Sequence, residues 1–394
     1  MPDTPAATTL PIVVHAEPGA NVRVAVRDGD GAWARAMPAA DGSFSATIAS
    51  GRYGIAVTCV DDLWQELRVL YATVAEQPAP ELVVSCGFPD DPIVIDKHVS
   101  GTISGLAGAG YTARLGLSSL RDTSPGTSLA YAKDTIGGTW SFAVGRYAAQ
   151  SAQQHVDRVA IRRDLVIAGD QVENVNLATE GVATESRDIS VGNLAGDDVL
   201  VRSRFRTANS FNLTLASDAT EPFTIDLPAA AQWIAGDRLA FSVSATNQTD
   251  LTAERTIERT FTRPDLAASF ALELPAPLDG FSFSGTPASF RATWTPHPTA
   301  TSYTMDVFSN GIEGTLCGGL CFPLWGVEAT PGYFGGATTH DLRTPEVSEL
   351  TAIDVWDPRL DMTPGFEMFW SVDAIETRAD GFTYRAGHRD TIVP

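Results

Sequence analysis

The sequence predicts an all-β chain of tandem β-sandwich domains, and three observations carry that prediction. Apolar and polar residues alternate at period two in one stretch after another, as where Val22, Val24 and Val26 oppose Arg23, Ala25 and Arg27; this is the pattern of a strand buried on one face. Turn chemistry separates the stretches: Asp41-Gly42, Gly137-Gly138 and Asp380-Gly381 supply the positive φ angles that tight hairpins require. A phrase is also written twice, "DGSFSATIASGRY" from Asp41 to Tyr53 and "GGTWSFAVGRY" from Gly137 to Tyr147, as tandem modules do.

In the first copy Phe44, Ala46 and Ile48 share one face; in the second Trp140, Phe142 and Val144 take the inner positions. Each copy reads as a hairpin turn feeding a strand, with Gly-Arg-Tyr opening the next one, and Trp140 is expected to be a core residue. Upstream of the second copy, Ala113, Leu115 and Leu117 repeat the plan of Val22, Val24 and Val26. The repeats span residues 10–88 and 97–180. A degenerate third copy follows at 184–264, where Gly236-Asp237-Arg238 stands in place of Gly-Arg-Tyr. Joints rich in Pro, Asp or Gly separate the units: "CGFPDDPIVIDKHVSG", "EGVATESRD" and "TRPDLAASFALELPAPLDG".

The last segment, 274–394, changes pattern. Phe290, Ala292 and Trp294 share a face, then Tyr303, Met305 and Val307, then Phe366, Met368, Trp370, Val372 and Ala374. Between its strands lies an insertion, 309–350, that carries Phe322, Trp325, Tyr333 and Phe334 among its glycines. Long structured loops often carry function, and flat aromatic faces stack on sugar rings or anchor a protein partner. Those four aromatics are the candidate ligand-binding residues; the competing reading folds them back as a local core.

The repeat "DGSFS…GRY" resembles the carboxypeptidase regulatory-like, or transthyretin-like, sandwich modules over residues 10–180. The segment 274–394 resembles a fibronectin type III domain, with Trp294 on its second strand, Tyr303 on its third and "FWSVDA" on its sixth. The first resemblance implies an accessory module without catalysis.

Charge narrows the partners. With 27 basic against 48 acidic residues the net charge is -21, which repels nucleic acid and anionic lipid surfaces. No apolar run in the sequence reaches the roughly 20 residues of a membrane-spanning helix. Few Met and Lys, much Thr, Ser, Gly and Pro, and an even set of four cysteines point to a secreted or cell-envelope location, with a signal segment expected to be absent from this sequence. Cys59 and Cys86 both end inward-facing alternations and read either as an inter-sheet disulfide or as two buried thiols. Cys317 and Cys321 read as a short disulfide loop or, less simply, as half of a zinc site.

Signatures of catalysis, metal or cofactor are missing from the sequence. "GAGYTA" precedes a strand and reads as a turn rather than a dinucleotide fingerprint. Asp28 and Asp30 begin a calcium-like loop that lacks a terminal ligand, and read as a charged hairpin. His340-Asp341 reads as a loop pair. The run Glu346, Glu349, Asp354, Asp357 and Asp361 beside Trp356 reads as surface charge or, in the alternative, as the carboxylates of an enzyme acting on polysaccharide. The expectation is a non-enzymatic, cofactor-free binding, adhesion or spacer protein. Its partner is a protein or glycan of the cell envelope or extracellular matrix.

Overall fold

The computed structural model describes residues 7–60, 65–84, 95–115, 118–147, 154–194, 196–209, 212–262, 269–286, 288–309, 323–357 and 368–392. Its architecture is all-β, and no helix among the described residues is long and apolar enough to cross a membrane. The first unit contains β1 (Thr8–His15), β2 (Val22–Asp28), β3 (Ala34–Ala36), β4 (Phe44–Ile48), β5 (Arg52–Val60), β6 (Gln65–Thr73) and β7 (Glu81–Val83). The second contains β8 (Lys97–Leu115), β9 (Ser118–Thr135), β10 (Gly138–Tyr147), β11 (Gln154–Ile167) and the short β12 (Gln171–Val172), β13 (Val175–Asn176) and β14 (Val182–Ala183). The third runs through β15 (Glu185–Gly192), β16 (Asp198–Arg206), β17 (Leu213–Asp218), β18 (Phe223–Leu227), β19 (Arg238–Thr246), β20 (Ala253–Phe261) and β21 (Ser269–Glu273). The fourth holds β22 (Ser282–Thr286), β23 (Ser289–Trp294), β24 (Ser302–Ser309), β25 (Pro323–Ala329), β26 (His340–Arg343), α1 (Val347–Ala352), β27 (Met368–Thr377) and β28 (Thr383–Ile392).

Three of the units close a three-stranded sheet over four strands: β4-β1-β7 over β3-β2-β5-β6, β18-β15-β21 over β17-β16-β19-β20, and β22-β23-β26 over β25-β24-β27-β28. Period-two burial explains each core. Tyr53, Ile55, Val57 and Cys59 of β5 join Leu10, Ile12 and Ile48 in one cluster, while Phe290 and Trp294 meet Tyr303, Met305 and Val372 in another. In the second unit β8 serves two partners on the same side, because it bends at Gly105, Ala107 and Gly108, all with positive φ. Its first half pairs with β12 and β13, and its second half with β10. Only Gly108 of "GAGYTA" belongs to that bend; the residues from Ala109 to Ala113 continue as strand, which corrects the expected turn.

The doubled phrase is built in two different ways. In the first copy Gly51, at φ 77, turns the chain between β4 and β5, and Arg52-Tyr53 open β5. In the second copy Gly145-Arg146-Tyr147 end β10 itself, which departs from the expected turn. There the glycine serves a close approach, since a Cβ on Gly145 would lie 2.9 Å from Val156. Trp140 is also displaced from the expected core position: it is partly buried, while Phe142 is 1% exposed. Cys59 is fully buried and in disulfide form; Cys86, Cys317 and Cys321 lie outside the described residues.

The units do not follow one another in space as they do in sequence. One continuous ladder runs β3-β2-β5-β6-β25-β24-β27-β28-β20-β19-β16-β17-β11-β10-β8-β9. Its spatial order is first, fourth, third, second. β6 pairs with β25 in parallel, Leu67 to Tyr71 against Trp325 to Ala329. β20 pairs with β28 antiparallel, Ala253 to Glu258 against His388 to Thr383. β11 touches β17 at Gln154–Ser217 and His155–Ala216.

Candidate functional site

The seam between the first and fourth units is made by alternation on two neighbouring strands. Leu67, Val69 and Tyr71 of β6 point to the same side as Trp325, Val327 and Ala329 of β25, and all six lie in one core cluster with Trp33, Trp356 and Tyr333. Burying Leu67, Val69 and Val327 at about 1.5–3 kcal/mol each, with Tyr71, Trp325 and Ala329 beside them, opposes the entropy of docking two domains. Polar contacts then fix the angle. Arg23 and Arg35 both donate to Asp354, Thr58 Oγ1 donates to the Val355 carbonyl at 2.5 Å, and Gln65 exchanges two bonds with the Asp357 backbone at 2.9 and 3.1 Å. Glu76 accepts from Thr330 Oγ1 at 2.5 Å and from the Gly332 amide at 2.8 Å.

A cleft of about 440 Å³ opens along this seam. Arg27, Asp30, Arg52 and Tyr71 of the first unit form one wall; Tyr333, Phe334, Ala337, Thr339, Asp341, Arg343, Glu346 and Glu349 belong to the fourth. Tyr333 stacks on Tyr71 at 5.0 Å and its hydroxyl accepts from Arg27 at 2.7 Å. Arg52 reaches the Tyr333 carbonyl at 3.2 Å and Asp30 at 2.7 Å. Burial acts to raise the Asp341 carboxyl, but bonds from Arg343 and Arg291 prevail and hold it at about 2. The cleft therefore offers planar donors, ionised acceptors and hydroxyls at fixed positions.

The four candidate aromatics have unlike fates. Phe322 lies outside the described residues. Trp325 is 1% exposed, edge-on to Phe290 at 5.3 Å and to Trp356 at 5.7 Å, so neither face is free to stack on a ligand. Tyr333 and Phe334 reach the cleft, but Phe334 stacks on His340 at 4.1 Å and Tyr333 is 7% exposed. They dock the domains and shape the cleft floor rather than present open rings. The insertion thus supplies part of the fourth unit's grip on the first, beside the stretch Asp354 to Asp357 that follows it.

The remaining motifs resolve similarly. Asp28 accepts from the amides of Ala49 and Ser50 and from the Ser50 hydroxyl, closing a hairpin. His340 and Asp341 are split by strand alternation: His340 is buried with its pKa lowered by that burial, while Asp341 turns to Arg291 and Arg343. Of the acidic run, Asp354 and Asp357 belong to the seam, Glu346 and Glu349 to the cleft, and Asp361 lies outside the described residues.

Two clusters escaped sequence reasoning. His155 sits between buried Asp226, 3.0 Å from Nδ1, and buried Asp218, 3.6 Å from Nε2, while Ser186 donates to Asp226 at 2.8 Å. The serine contacts the carboxylate and not the imidazole, so this is no nucleophile–base pair. On the first–fourth seam a groove of about 460 Å³, separate from the cleft, holds Glu66, Arg68, Asp306 and Glu328, and burial raises the Asp306 carboxyl to about 6. These residues lie far apart in sequence and fall on unremarkable strand positions, so pairing alone reveals them.

No family model matches the chain, and no curated protein matches it. Among solved structures, it is similar to a Bacteroides uniformis ATCC 8492 protein named as a carbohydrate-binding candidate, at 8% identity, 76% of this chain, 100% of that chain and a TM-score of 0.18. The Bacillus anthracis TIE protein matches at 8% identity over 68% of this chain and 50% of that one, with a TM-score of 0.16. The FN1-FN3 domains of chicken CNTN1 match at 9% identity over 94% and 90%, with a TM-score of 0.18. None of the three superposes as a whole, and the functional reading rests on this chain's own residues.

Proposed function

We propose that this chain is a non-enzymatic, secreted or cell-envelope β-sandwich protein that binds a glycan in the cleft between its first and fourth units. The supporting observation is the cleft itself: both walls are fixed by a shared apolar core, so its polar groups are held before any ligand arrives. Such preorganisation lowers the entropic cost of binding, and alternating donors and acceptors suit a polyhydroxylated ligand. Asp341, ionised down to about pH 2, is unsuited to be a general acid near neutrality. The test is Ala337→Trp. Ala337 is an exposed residue of the cleft wall, so an indole there fills the space without breaking a described hydrogen bond. Intact protein is expected to bind a member of a polysaccharide panel and the variant to lose it; unchanged binding by a folded variant sinks the cleft as the site.

The groove around Asp306 favours a second reading, an enzyme acting on polysaccharide. A carboxyl raised to about 6 by burial is poised as a general acid. Asp306→Asn would then abolish release of reducing sugar from the same panel, and no release by the intact protein overturns it.

A further inference from the structure

Three arginines line the cleft, and two of them are already paired. Arg52 holds Asp30 at 2.7 Å, and Arg343 holds Asp341 at 2.8 Å. Arg27 differs. Its described hydrogen bond runs to the neutral Tyr333 hydroxyl, its guanidinium carbon lies 5.1 Å from the Trp33 ring and 4.8 Å from the Tyr71 ring, and its buried Nε has no partner. No carboxylate among the described residues is within ion-pairing distance of it, in a chain with 48 acidic residues against 27 basic. Cation–π contact with the two rings offsets part of the cost of desolvating a cation that has no ion pair among the described residues.

We infer that Arg27 is the anion-recognising residue of the cleft, and that the ligand is a hexuronate-bearing glycan. This rests on the glycan-binding reading above and goes further by naming the sugar class. With Nε buried and one Nη2 hydrogen given to Tyr333, what remains for a ligand carboxylate is Nη1 and the second Nη2 hydrogen, and charge-assisted bonding favours a carboxylate there. The surrounding Asp30, Thr339, Glu346 and Glu349 suit ring hydroxyls, which a bare anion lacks. The net charge of -21 disfavours a polyanion held by charge alone, so recognition has to be local.

Calorimetric titration of trigalacturonate, cellotriose and sodium sulfate into the intact chain, Arg27→Gln, Arg27→Lys and Ala337→Trp tests this. Trigalacturonate is expected to bind the intact chain and to weaken about 10- to 100-fold in Arg27→Gln, the loss of a charge-assisted bond pair. Cellotriose affinity should stay level between the two, and Arg27→Lys should recover part of the loss. Thermal unfolding checks each variant; should Arg27→Gln not fold, Arg27→Lys carries the comparison, and trigalacturonate affinity unchanged in it overturns the inference. Equal trigalacturonate affinity in the intact chain and Arg27→Gln, with loss in Ala337→Trp, leaves the cleft standing and removes Arg27. Sulfate binding as tightly as trigalacturonate overturns the sugar class. Binding of neither sugar by the intact chain ends the glycan reading and this inference with it.

Discussion

The seam joining the first and fourth units and the seam joining the second and third are made of opposite materials. At the first, five register pairs of β6 and β25 carry a continuous apolar core on one face and Arg68 and Glu328 on the other, with Asp354 meeting Arg23 and Arg35 at its edge. At the second, two register pairs of β11 and β17 are supplemented by Tyr147, Val156 and Val159 packed into the third unit's core. Buried charge does the orienting there: Arg163 holds fully buried Asp237 with bonds of 2.9 and 2.8 Å, and His155 lies between Asp218 and Asp226. An apolar seam stabilises with little dependence on pH or salt. A charged one adds little net stability but penalises every arrangement that leaves an ion unpaired. The first is suited to hold the walls of a cleft in place, the second to exclude alternative arrangements.

Trp325→Ala should show the largest effect. Removing a fully buried indole from a core costs about 3–5 kcal/mol, so denaturant unfolding should register a loss of that size and the first unit should become more sensitive to protease. A loss under about 1 kcal/mol would break the description of this seam as apolar core. Asp237→Ala is expected next, at about 3 kcal/mol, because it strands Arg163 beside a buried void. A double cycle with Arg163→Met sharpens the contrast: the pair removed together should cost less than Asp237→Ala alone, whereas additive losses would mean the two charges are not coupled.

Tyr333→Phe takes one polar contact from the apolar seam. The ring stays stacked on Tyr71, so the cost should be about 1.5–2 kcal/mol, the low end of the range for one hydrogen bond to a charged donor. A cost rivalling that of Asp237→Ala would show that polar bonding, not packing, holds the first seam.

How much of this was legible in the sequence follows from which interactions are local. Alternation placed Tyr53, Ile55, Val57 and Cys59 on one inner face, and Phe290, Ala292 and Trp294 on another, because strand burial is a property of neighbours in the chain. The seams were not legible. Phe382 and Tyr384 alternate like core residues of the fourth unit, yet they pack in the core of the third, because β28 pairs across to β20. Nothing local records which sheet edge a strand will meet. The insertion was found by its aromatic content, but content does not distinguish an open ring from one that grips a neighbouring domain, as the 1% exposure of Trp325 shows. Alternation puts Arg27 outward on its strand, and nothing local records that the domain docked against it brings Tyr333 to its guanidinium.

The smallest expected effect belongs to His155, whose side chain is 33% exposed and therefore partly screened by solvent. Its pKa is raised, chiefly by the bond to Asp226, against burial, with Asp218 adding to the shift. The sign follows from linkage: a raised pKa means the folded protein binds the proton more tightly, so the contribution is complete below the ordinary histidine value of 6.5 and is lost as pH climbs through the raised one. Two nearly buried aspartates then face a neutral ring, and the second–third seam loosens. Hydrogen exchange corrected for its intrinsic pH dependence should show amides of Gln154, His155, Ala216 and Ser217 losing protection as pH rises above 6.5. His155→Gln should flatten that profile. Protection at these four amides that does not change with pH, or that falls equally in His155→Gln, would remove His155 as the titrating group of this seam.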